Sequence, residues 1–277
     1  MCTSIWMALF SSVHLLVTNP FSKSMSRDTD KQNFYCGTSN VVLPVPNKTH
    51  FPPEYQCKSR LCYYSSLFNT VEINSSFYKI PMRKTVEKWA SEVEGDFLFT
   101  FKLWRGITHE KNLAFNSEDI SRFMHAINGA GDKKGCLLIQ FPASIKFSLF
   151  AKVRHLLQAL YHVPDTATWK VAIEFRDRSW YNDTTYELLD AHDCAIVHHD
   201  MPAAATPSID MDSSFCYYRF HGENGDYRGS YPEDVLADTA LSIKYELDND
   251  KPVFAYFNNT MGAAVANADE LGIYVRS

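Results

Sequence analysis

Several motifs that would assign this chain to a known chemistry are missing. No GxGxxG turn is present, so the rival fold, an open doubly wound sheet with a phosphate-binding turn, has no sequence signal. No HxH or HExxH spacing occurs, and Cys57 and Cys62 have no second cysteine pair, so a zinc site is not predicted. Ser39 has no histidine and aspartate partners at elbow spacing, which argues against a serine triad.

The chain also lacks an excess of positive charge and a long apolar run. The 277 residues carry a formal net charge of −5, which provides no general attraction for nucleic acid or membranes. The apolar stretch from Ile5 to Val17 is too short and too interrupted to span a bilayer, and no Lys or Arg precedes it. We expect residues 1–33 to be a disordered extension or a misassigned start, with Met25 as the alternative first residue and a signal peptide less favoured. A single domain is predicted over 34–277.

The cysteines point to the compartment. There are seven, an odd number, and four of them lie in strand-like runs: Cys36, Cys136, Cys194 and Cys216. Buried free thiols are typical of proteins in a reducing environment. The sequence therefore predicts a cytoplasmic protein.

Short apolar runs alternate with longer amphipathic stretches from Phe34 onward. The predicted strands are 34–37, 70–74, 97–102, 136–140, 171–174, 195–198, 215–221 and 253–257. The predicted helices are 54–67, 84–93, 118–130, 149–160, 186–191, 232–247 and 263–271. Eight strand–helix repeats in roughly 250 residues predict a single-domain α/β fold, the (β/α)8 TIM barrel. The connection 201–214 between strands six and seven contains two prolines, and we expect it to be irregular.

Polar residues stand at the C-terminal end of every predicted strand. These residues are Ser39, Asn40, Glu72, Asn74, Lys102, Gln140, Glu174, Arg176, His199, Asp200, Arg219, His221, Asn258 and Asn259. The opposite strand ends carry ordinary turn residues such as Glu94-Gly95-Asp96. Because the C-terminal strand ends of a barrel converge on one mouth, this asymmetry predicts a functional site there.

The first candidates are catalytic. Glu72 and Asn74 are two residues apart, so on a strand they would point to the same side. Glu72 and Glu174 would form a carboxylate pair that environment can divide into an acid and a base, and His221 joins them. The alternative for each carboxylate is a structural role beside an arginine. Lys102 could be an anion clamp, a base or a Schiff-base amine, and its alternative is an ion pair with Glu72.

The remaining candidates would bind and orient a ligand. They are Ser39, Asn74, Arg105, His109, Gln140, Arg176, Asp200, Tyr227, Arg228, Asn258 and Asn259. Arginines are natural partners of phosphate and carboxylate groups. For Arg176 and Arg219 we favour structural pairing with Glu72, Glu174 or Asp177, because both arginines sit within strand ends. The loop Tyr227-Arg228-Gly229 could reach over the mouth.

No cofactor and no metal are predicted. One alternative remains open, a divalent metal bound through nitrogen and oxygen ligands. Its ligands would come from Glu72, Glu174, His199, Asp200 and His221. Trp104 and Trp180 could stack on a ligand, although core packing is the more frequent use of tryptophan.

Blocks of residues at these strand ends form a recognisable series. They are Gly37-Thr38-Ser39, Phe68-Asn69-Thr70-Val71-Glu72-Ile73-Asn74 with Phe77-Tyr78, Phe101-Lys102 with Arg105 and Ile107-Thr108-His109, Gln140-Phe141-Pro142, Glu174-Phe175-Arg176 with Ser179-Trp180, Arg219-Phe220-His221-Gly222, Tyr227-Arg228-Gly229, and Tyr256-Phe257-Asn258-Asn259 with Asn267-Ala268.

On these blocks the chain resembles the YecE-like proteins, the domain-of-unknown-function family seventy-two, over Phe34 to Leu271. The resemblance implies a TIM barrel and supplies no reaction, since proposals for the family rest on similarity to barrel endonucleases. Asn40-Val41-Val42 stands where family members continue with Gly-Trp. We therefore expect the first loop to shape the mouth differently here.

The leading interpretation is a cytoplasmic barrel enzyme of hydrolase or isomerase type. It would act through acid/base carboxylates on a small polar or anionic ligand, such as a sugar or a phosphate ester. One alternative is a metal-assisted phosphoesterase or endonuclease-like hydrolase. The other is a non-catalytic module that binds nucleic acid or protein through a patch of Lys102, Arg105, Lys111 and Arg228; the acidic net charge speaks against nucleic acid.

Overall fold

The strands follow the predicted order along the chain. The computed structural model describes residues 33–209 and 211–277, so the prediction for residues 1–33 falls almost entirely outside the described residues. The strands are β1 Phe34–Thr38, β2 Thr70–Ile73, β3 Leu98–Lys102, β4 Lys134–Phe141, β5 Lys170–Phe175, β6 Cys194–His199, β7 Cys216–Phe220 and β8 Val253–Phe257.

The helices agree with the pattern except that two short ones, Ser75–Tyr78 and Arg105–Thr108, were not predicted and that several predicted ones have other bounds. They are α1 Arg60–Leu67, α2 Ser75–Tyr78, α3 Arg83–Ser91, α4 Arg105–Thr108, α5 Ser117–Ile127, α6 Phe150–Tyr161, α7 Asp183–Asp190, α8 Glu233–Asp248 and α9 Ala264–Arg276. The helix predicted over 54–67 is wrong in its first half, since only a 3-10 turn, Pro53–Tyr55, precedes α1, which starts at the Ser59 cap. The last helix continues five residues past Leu271, to Arg276. Among the described residues no helix joins β6 to β7, as predicted.

All eight strands belong to one parallel sheet in the order β1-β8-β7-β6-β5-β4-β3-β2. Strand β1 pairs with β8 over Phe34–Thr38 and Val253–Phe257, which brings the first and last strands together. A single bridge, Ser39 to Glu72, links the two strands at the ends of that order, β1 and β2. The fold is therefore the predicted α/β TIM barrel, nearly closed.

Two side chains close the seam between β1 and β2. The Tyr64 hydroxyl accepts from the Thr38 backbone N–H at 2.7 Å and donates to the Thr70 carbonyl at 3.1 Å. The Asn69 amide accepts from Cys36 N–H at 3.1 Å and donates to the Phe34 carbonyl at 2.8 Å. These side-chain hydrogen bonds stand where a β1–β2 ladder would be. They satisfy buried backbone groups that would otherwise have no partner.

Gly37 makes this close approach possible. A Cβ atom at Gly37 would lie 2.2 Å from the Thr70 carbonyl oxygen and 2.7 Å from the Tyr64 hydroxyl. Any other residue would push β1 away from β2, which explains why a glycine stands in the middle of this strand.

Alternation along the strands divides the core into two parts. Inward residues such as Leu138, Ala172, Val197 and Tyr217 fill the barrel, whereas their neighbours pack against the helices. Cys36, Cys136 and Cys194 are buried thiols in strands, as predicted. No helix in the described part of the chain is long and apolar enough to cross a membrane.

We predict that Tyr64→Phe weakens the barrel at its seam. The substitution leaves the Thr38 N–H and the Thr70 carbonyl buried without this partner, which costs about 1–3 kcal/mol of unfolding free energy. Denaturant unfolding measures the loss. Tyr63→Phe is the matched control, because Tyr63 lies on the same helix and its hydroxyl makes no hydrogen bond with the described residues. Equal effects of the two substitutions would contradict the role given to the Tyr64 hydroxyl.

Candidate functional site

Inward-facing polar residues lie at the C-terminal end of the barrel. Register places Gln140 beside Glu174 and His199 beside Arg219, while Ser39 bridges to Glu72. Each of them keeps the inward parity of its strand. The predicted convergence of polar strand ends on one mouth therefore corresponds to the geometry of the barrel.

Arg219 is the hub of this mouth. The side chain is only 1% exposed. Its Nε and Nη2 donate to the two oxygens of Glu72 at 2.9 and 2.7 Å, and Nη1 donates to Glu174 Oε2 at 2.6 Å. A buried guanidinium needs such partners because leaving it unpaired costs several kcal/mol. The structural alternative for Arg219 is confirmed.

Glu72 is completely engaged. Besides Arg219, the Ser39 and Tyr217 hydroxyls each donate to it at 2.6 Å. Burial would raise the pKa of Glu72, but the Arg219 charge and these hydrogen bonds outweigh burial and lower it. A carboxylate held ionised by four donors is poorly suited to exchange protons. The arrangement favours an anchoring role, and the acid/base role stays a prediction.

Glu174 is held by two arginines. Arg176 Nε donates to its Oε1 in a very short contact, and Arg219 takes Oε2. Burial would raise the pKa of Glu174, yet the charges of Arg176 and then Arg219 hold it well below its usual value. The structural pairing favoured for Arg176 is thus confirmed. An acid/base role for Glu174 stays a prediction and would require one of these arginines to move.

His221 is locked in one tautomer. Its Nε2 faces Arg176 Nη2 at 2.8 Å and Arg219 Nη1 at 3.0 Å. Arginine only donates, so Nε2 must be an unprotonated acceptor and the proton sits on Nδ1, 3.2 Å from Asp200 Oδ1. Burial lowers the pKa of His221 to about 4, although the Asp200 hydrogen bond opposes this. In this arrangement His221 is a neutral acceptor that positions the arginines.

His199 and Asp200 are also occupied. His199 Nε2 donates to the Phe175 carbonyl at 2.9 Å, and Nδ1 accepts from Met201 N–H at 3.3 Å. Asp200 accepts from His221 and, in a very short contact, from the Tyr231 hydroxyl. Among the described residues no three His, Cys, Asp or Glu side chains are placed to hold a metal ion. The metal alternative therefore gains no support from this arrangement.

Lys102 differs from the arginines. Its Nζ lies 4.3 Å from the centre of the Phe77 ring. Within residues 33–209 and 211–277 it forms no salt bridge, so the alternative of an ion pair with Glu72 is wrong. Burial, and then the charge of Arg219, lowers the pKa of Lys102 to about 8, against the opposing charges of Glu174 and Glu72.

Arg105 and His109 gather around the same Phe77 ring. Arg105 Cζ lies 5.9 Å from the ring centre, and the His109 ring centre lies 4.8 Å away. His109 Nδ1 is 2.8 Å from Thr108 Oγ1. Burial, and then the charge of Lys102, lowers the pKa of His109 to about 4, so the imidazole is neutral at pH 7. Lys102, Arg105 and His109, here called the Phe77 cluster, were each predicted at the mouth, but their grouping around one ring was not predicted.

The predicted amides occupy different situations. Asn74 lies beyond β2 in helical backbone (φ −80°, ψ −16°), so the expectation that it shares a strand face with Glu72 is wrong. Its Oδ1 and that of Asn259 are buried without a hydrogen-bond partner in the described chain. Asn259 Nδ2 donates to Gly229 and Asn267, which gives that side chain a structural use. Gln140 and Asn258 make no side-chain hydrogen bond with the described residues.

The loop with Tyr227 and Arg228 lies against the mouth. The Tyr227 ring is 5.9 Å from the His221 ring, and Arg228 is exposed. Tyr227 has φ of +66°, a left-handed conformation that costs energy for a tyrosine and often accompanies function. Met261 N–H donates to the Tyr227 carbonyl at 3.1 Å, which fixes the loop to the segment after β8.

Sequence reasoning missed three residues that the site uses. Tyr217 stands two residues before Arg219 on one strand, so parity could have found it. Phe77 and Tyr231 lie outside the strands, where parity gives no signal, although Phe77 stands in one of the family blocks. Of the two tryptophans proposed for stacking, Trp180 is fully buried against Phe175, which is core packing, and Trp104 is half-buried.

We predict that Glu72→Gln destabilises the fold. The substitution removes the charge that compensates buried Arg219, and breaking such a pair costs about 3–5 kcal/mol. Denaturant unfolding measures the effect. Glu87→Gln is the control, because Glu87 forms an exposed pair with Arg83 at 2.8 Å and should cost less than about 1 kcal/mol. A Glu72→Gln protein as stable as wild type would contradict the anchoring role and favour acid/base chemistry.

Solved structures share this architecture. A DUF72 family protein of Enterococcus faecalis V583 superposes with a TM-score of 0.71 at 19% identity, covering 88% of this chain and 96% of that one. Another, from Thermotoga maritima MSB8, superposes with a TM-score of 0.65 at 24% identity, covering 88% and 99%. At these identities the likeness concerns the fold alone.

Sequence comparison identifies the relatives. UPF0759 protein YunF of Bacillus subtilis (strain 168) is 26% identical over 254 residues, 78% of this chain and 86% of YunF. UPF0759 protein YecE of Escherichia coli (strain K12) is 27% identical over 97 residues, 35% of this chain and 36% of YecE. The profile of the family described as "Protein of unknown function DUF72" matches residues 35–276. The chain therefore belongs to the DUF72 family, as the blocks at its strand ends had indicated.

Proposed function

We propose that this protein is a cytoplasmic enzyme that binds a small anionic ligand at the C-terminal mouth of its barrel. The ligand class is a phosphate ester or a carboxylate, including phosphorylated sugars. One observation carries the proposal: Lys102 and Arg105 flank the Phe77 ring, and neither forms a salt bridge among the described residues. A pair of cations without a carboxylate partner is what an anionic ligand would neutralise.

The charge balance of the mouth supports this reading. Arg176 and Arg219 are matched by Glu174 and Glu72, so their charges are used within the protein. Lys102 is repelled by the positive charge of Arg219 and Arg176, although Glu174 and Glu72 oppose this, and burial together with the charges of Lys102 and Arg105 keeps His109 neutral. Bringing an anion to the Phe77 cluster would relieve this repulsion. The chain as a whole is acidic, so the attraction is local to the mouth.

The roles differ from those first expected. Glu72 and Glu174 would hold Arg219 and Arg176 in place, and Lys102 would be the group that meets the ligand. Gln140 and Asn258, whose amides make no hydrogen bonds with the described residues, would orient it. Arg228 lies exposed on the adjacent loop and would add charge when a ligand is present.

A thermal-shift titration tests the proposal. At constant ionic strength, inorganic phosphate and glucose 6-phosphate should raise Tm, while glucose should not. Binding at a hundredfold excess over Kd adds about 2.7 kcal/mol, and each kcal/mol moves Tm by about 2–4 °C for a domain of this size. Lys102→Met and Arg105→Gln should each remove at least half of the shift.

Lys88→Met is the matched control. Lys88 is 74% exposed on α3, outside the Phe77 cluster, and its loose pair with Glu92 spans 3.8 Å. It should keep the full shift. Anion-induced shifts that survive both Lys102→Met and Arg105→Gln, or no shift with any anion, would overturn the proposal.

A second candidate function, binding of single-stranded nucleic acid, rests on another surface. A groove of about 440 Å³ lies between α3 and α5. Its lining includes two aromatic side chains and several basic ones: Tyr78, Trp104, Lys79, Arg83, Arg122 and His125. Tyr78 is 69% exposed. Bases could stack on the two aromatic rings while the basic side chains pair with phosphates. Arg83 and Arg122 already pair with Glu87 and Asp119, which weakens this candidate.

Fluorescence anisotropy with a labelled oligonucleotide tests the second candidate. Tyr78→Ala should cost about 1–3 kcal/mol of binding through lost stacking, and Lys79→Ala should reduce the salt slope by about 0.7. Tyr245→Ala is the control, since Tyr245 is equally exposed, at 69%, on α8. Equal loss in the control, or no binding at physiological salt, would exclude the groove as a nucleic-acid site.

A further inference from the structure

We propose that Lys102 is a Schiff-base lysine, whose Nζ condenses with the carbonyl carbon of a small aldehyde or ketone that carries an anionic group. The inference rests on the proposed function, because the anionic group would be held by the same mouth. It goes beyond it by naming a covalent step and a class of substrate.

The backbone fixes where the amine stands. Lys102 ends β3, and its carbonyl accepts from the Ser76 hydroxyl at 2.7 Å. The next residue, Leu103, donates its N–H to the Leu138 carbonyl at 2.8 Å. Hydrogen bonds therefore hold the end of β3 on both of its sides. The Lys102 side chain follows the inward parity of β3 and lies over the Phe77 ring. Such preorganisation brings a nucleophile to a bound carbonyl without further ordering.

The surroundings increase the share of the neutral amine, which is the nucleophilic form. A phenylalanine ring faces Nζ, and it stabilises the ammonium less than a carboxylate in the same place would. Burial and the neighbouring Arg219 lower the pKa of Lys102 to about 8. A desolvated lysine beside another cation is one of the recognised ways to activate an amine for Schiff-base formation. Lys88, by contrast, is 74% exposed and lies 3.8 Å from a carboxylate oxygen of Glu92.

The other members of the Phe77 cluster supply what the step needs. Arg105, which forms no salt bridge with the described residues, provides a guanidinium for a carboxylate or phosphate on the substrate. His109 has its Nδ1 beside Thr108 Oγ1 at 2.8 Å, and its Nε2 makes no hydrogen bond with the described residues. With its pKa lowered to about 4 by burial and by Lys102, it is neutral and able to relay a proton.

The step balances with water as its only by-product. The Nζ lone pair attacks the carbonyl carbon, a proton moves from nitrogen to the carbonyl oxygen, and a carbinolamine forms. Loss of that oxygen as water leaves the imine between Nζ and the substrate carbon. No oxidant or reductant is consumed, and addition of water reverses the step.

Borohydride trapping tests the inference on the full-length wild-type protein. The probes are glyoxylate and glycolaldehyde phosphate, which distinguish a carboxylate from a phosphate substrate, and neutral glycolaldehyde. Each is incubated with sodium cyanoborohydride at pH 7.5, and peptide mapping by mass spectrometry locates the secondary amine. At least one anionic probe should label Lys102 about tenfold more than Lys88, because the lowered pKa of Lys102 raises its neutral share and the mouth holds the anionic group.

Lys102→Arg is the companion variant. It keeps a cation at the mouth but cannot form an imine, so it should retain a phosphate-induced thermal shift and lose the adduct at this position. The wild-type map decides the question even if this variant does not fold. Equal labelling of Lys102 and exposed lysines, or equal labelling by neutral glycolaldehyde, would overturn the inference.

The two proposals can fail separately. Phosphate shifts that depend on Lys102 and Arg105, together with no adduct at Lys102, would leave anion binding intact and exclude the covalent step. An adduct at Lys102 that forms with an anionic probe, without any shift from phosphate, would support the Schiff base and overturn the binding of free anions as first proposed.

Discussion

The burial of one guanidinium governs the mouth of this barrel. Arg219 is 1% exposed and compensates two carboxylates that are themselves fully buried. Because an uncompensated charge there would cost several kcal/mol, Glu72, Glu174, Tyr217 and Ser39 are committed to fixed positions. Arg219 and Arg176 then determine which nitrogen of His221 carries the proton. A site that looks rich in acid/base groups is thus largely a rigid frame.

The same frame connects to the closure of the barrel. The backbone carbonyl of Glu72 accepts a hydrogen bond from the Asn40 N–H at 2.7 Å. This bond follows directly on the seam that Tyr64 and Asn69 fill. The Glu72 carboxylate meanwhile reaches across to β7. Side-chain hydrogen bonds here join β1 to β2, as a continuous backbone ladder would in a closed sheet. The ion pairs of Arg219 with Glu72 and Glu174 connect the C-terminal end of that seam to β5 and β7.

Within this rigid frame, the Phe77 cluster is the part of the mouth whose charged groups are available to a ligand. Lys102 faces a ring in place of a counterion, and the nearby carboxylates are already bound to arginine. Anion binding, and covalent capture of a carbonyl, both follow from that imbalance. Tyr227 beside His221 has a left-handed backbone conformation, a strained arrangement of the kind that clusters at functional sites.

The sequence by itself determined the barrel, its irregular sixth connection and the polar strand ends, because alternation and strand–helix periodicity are local properties. It also placed Glu72, Lys102, Gln140, Glu174 and Arg219 at one mouth. Only the tertiary structure decided which of these groups pair. Glu72 and Arg219 are 147 residues apart, and their contact depends on strand order and register around the barrel. For the same reason the sequence could not tell that Lys102 would face Phe77, which lies on a separate short helix.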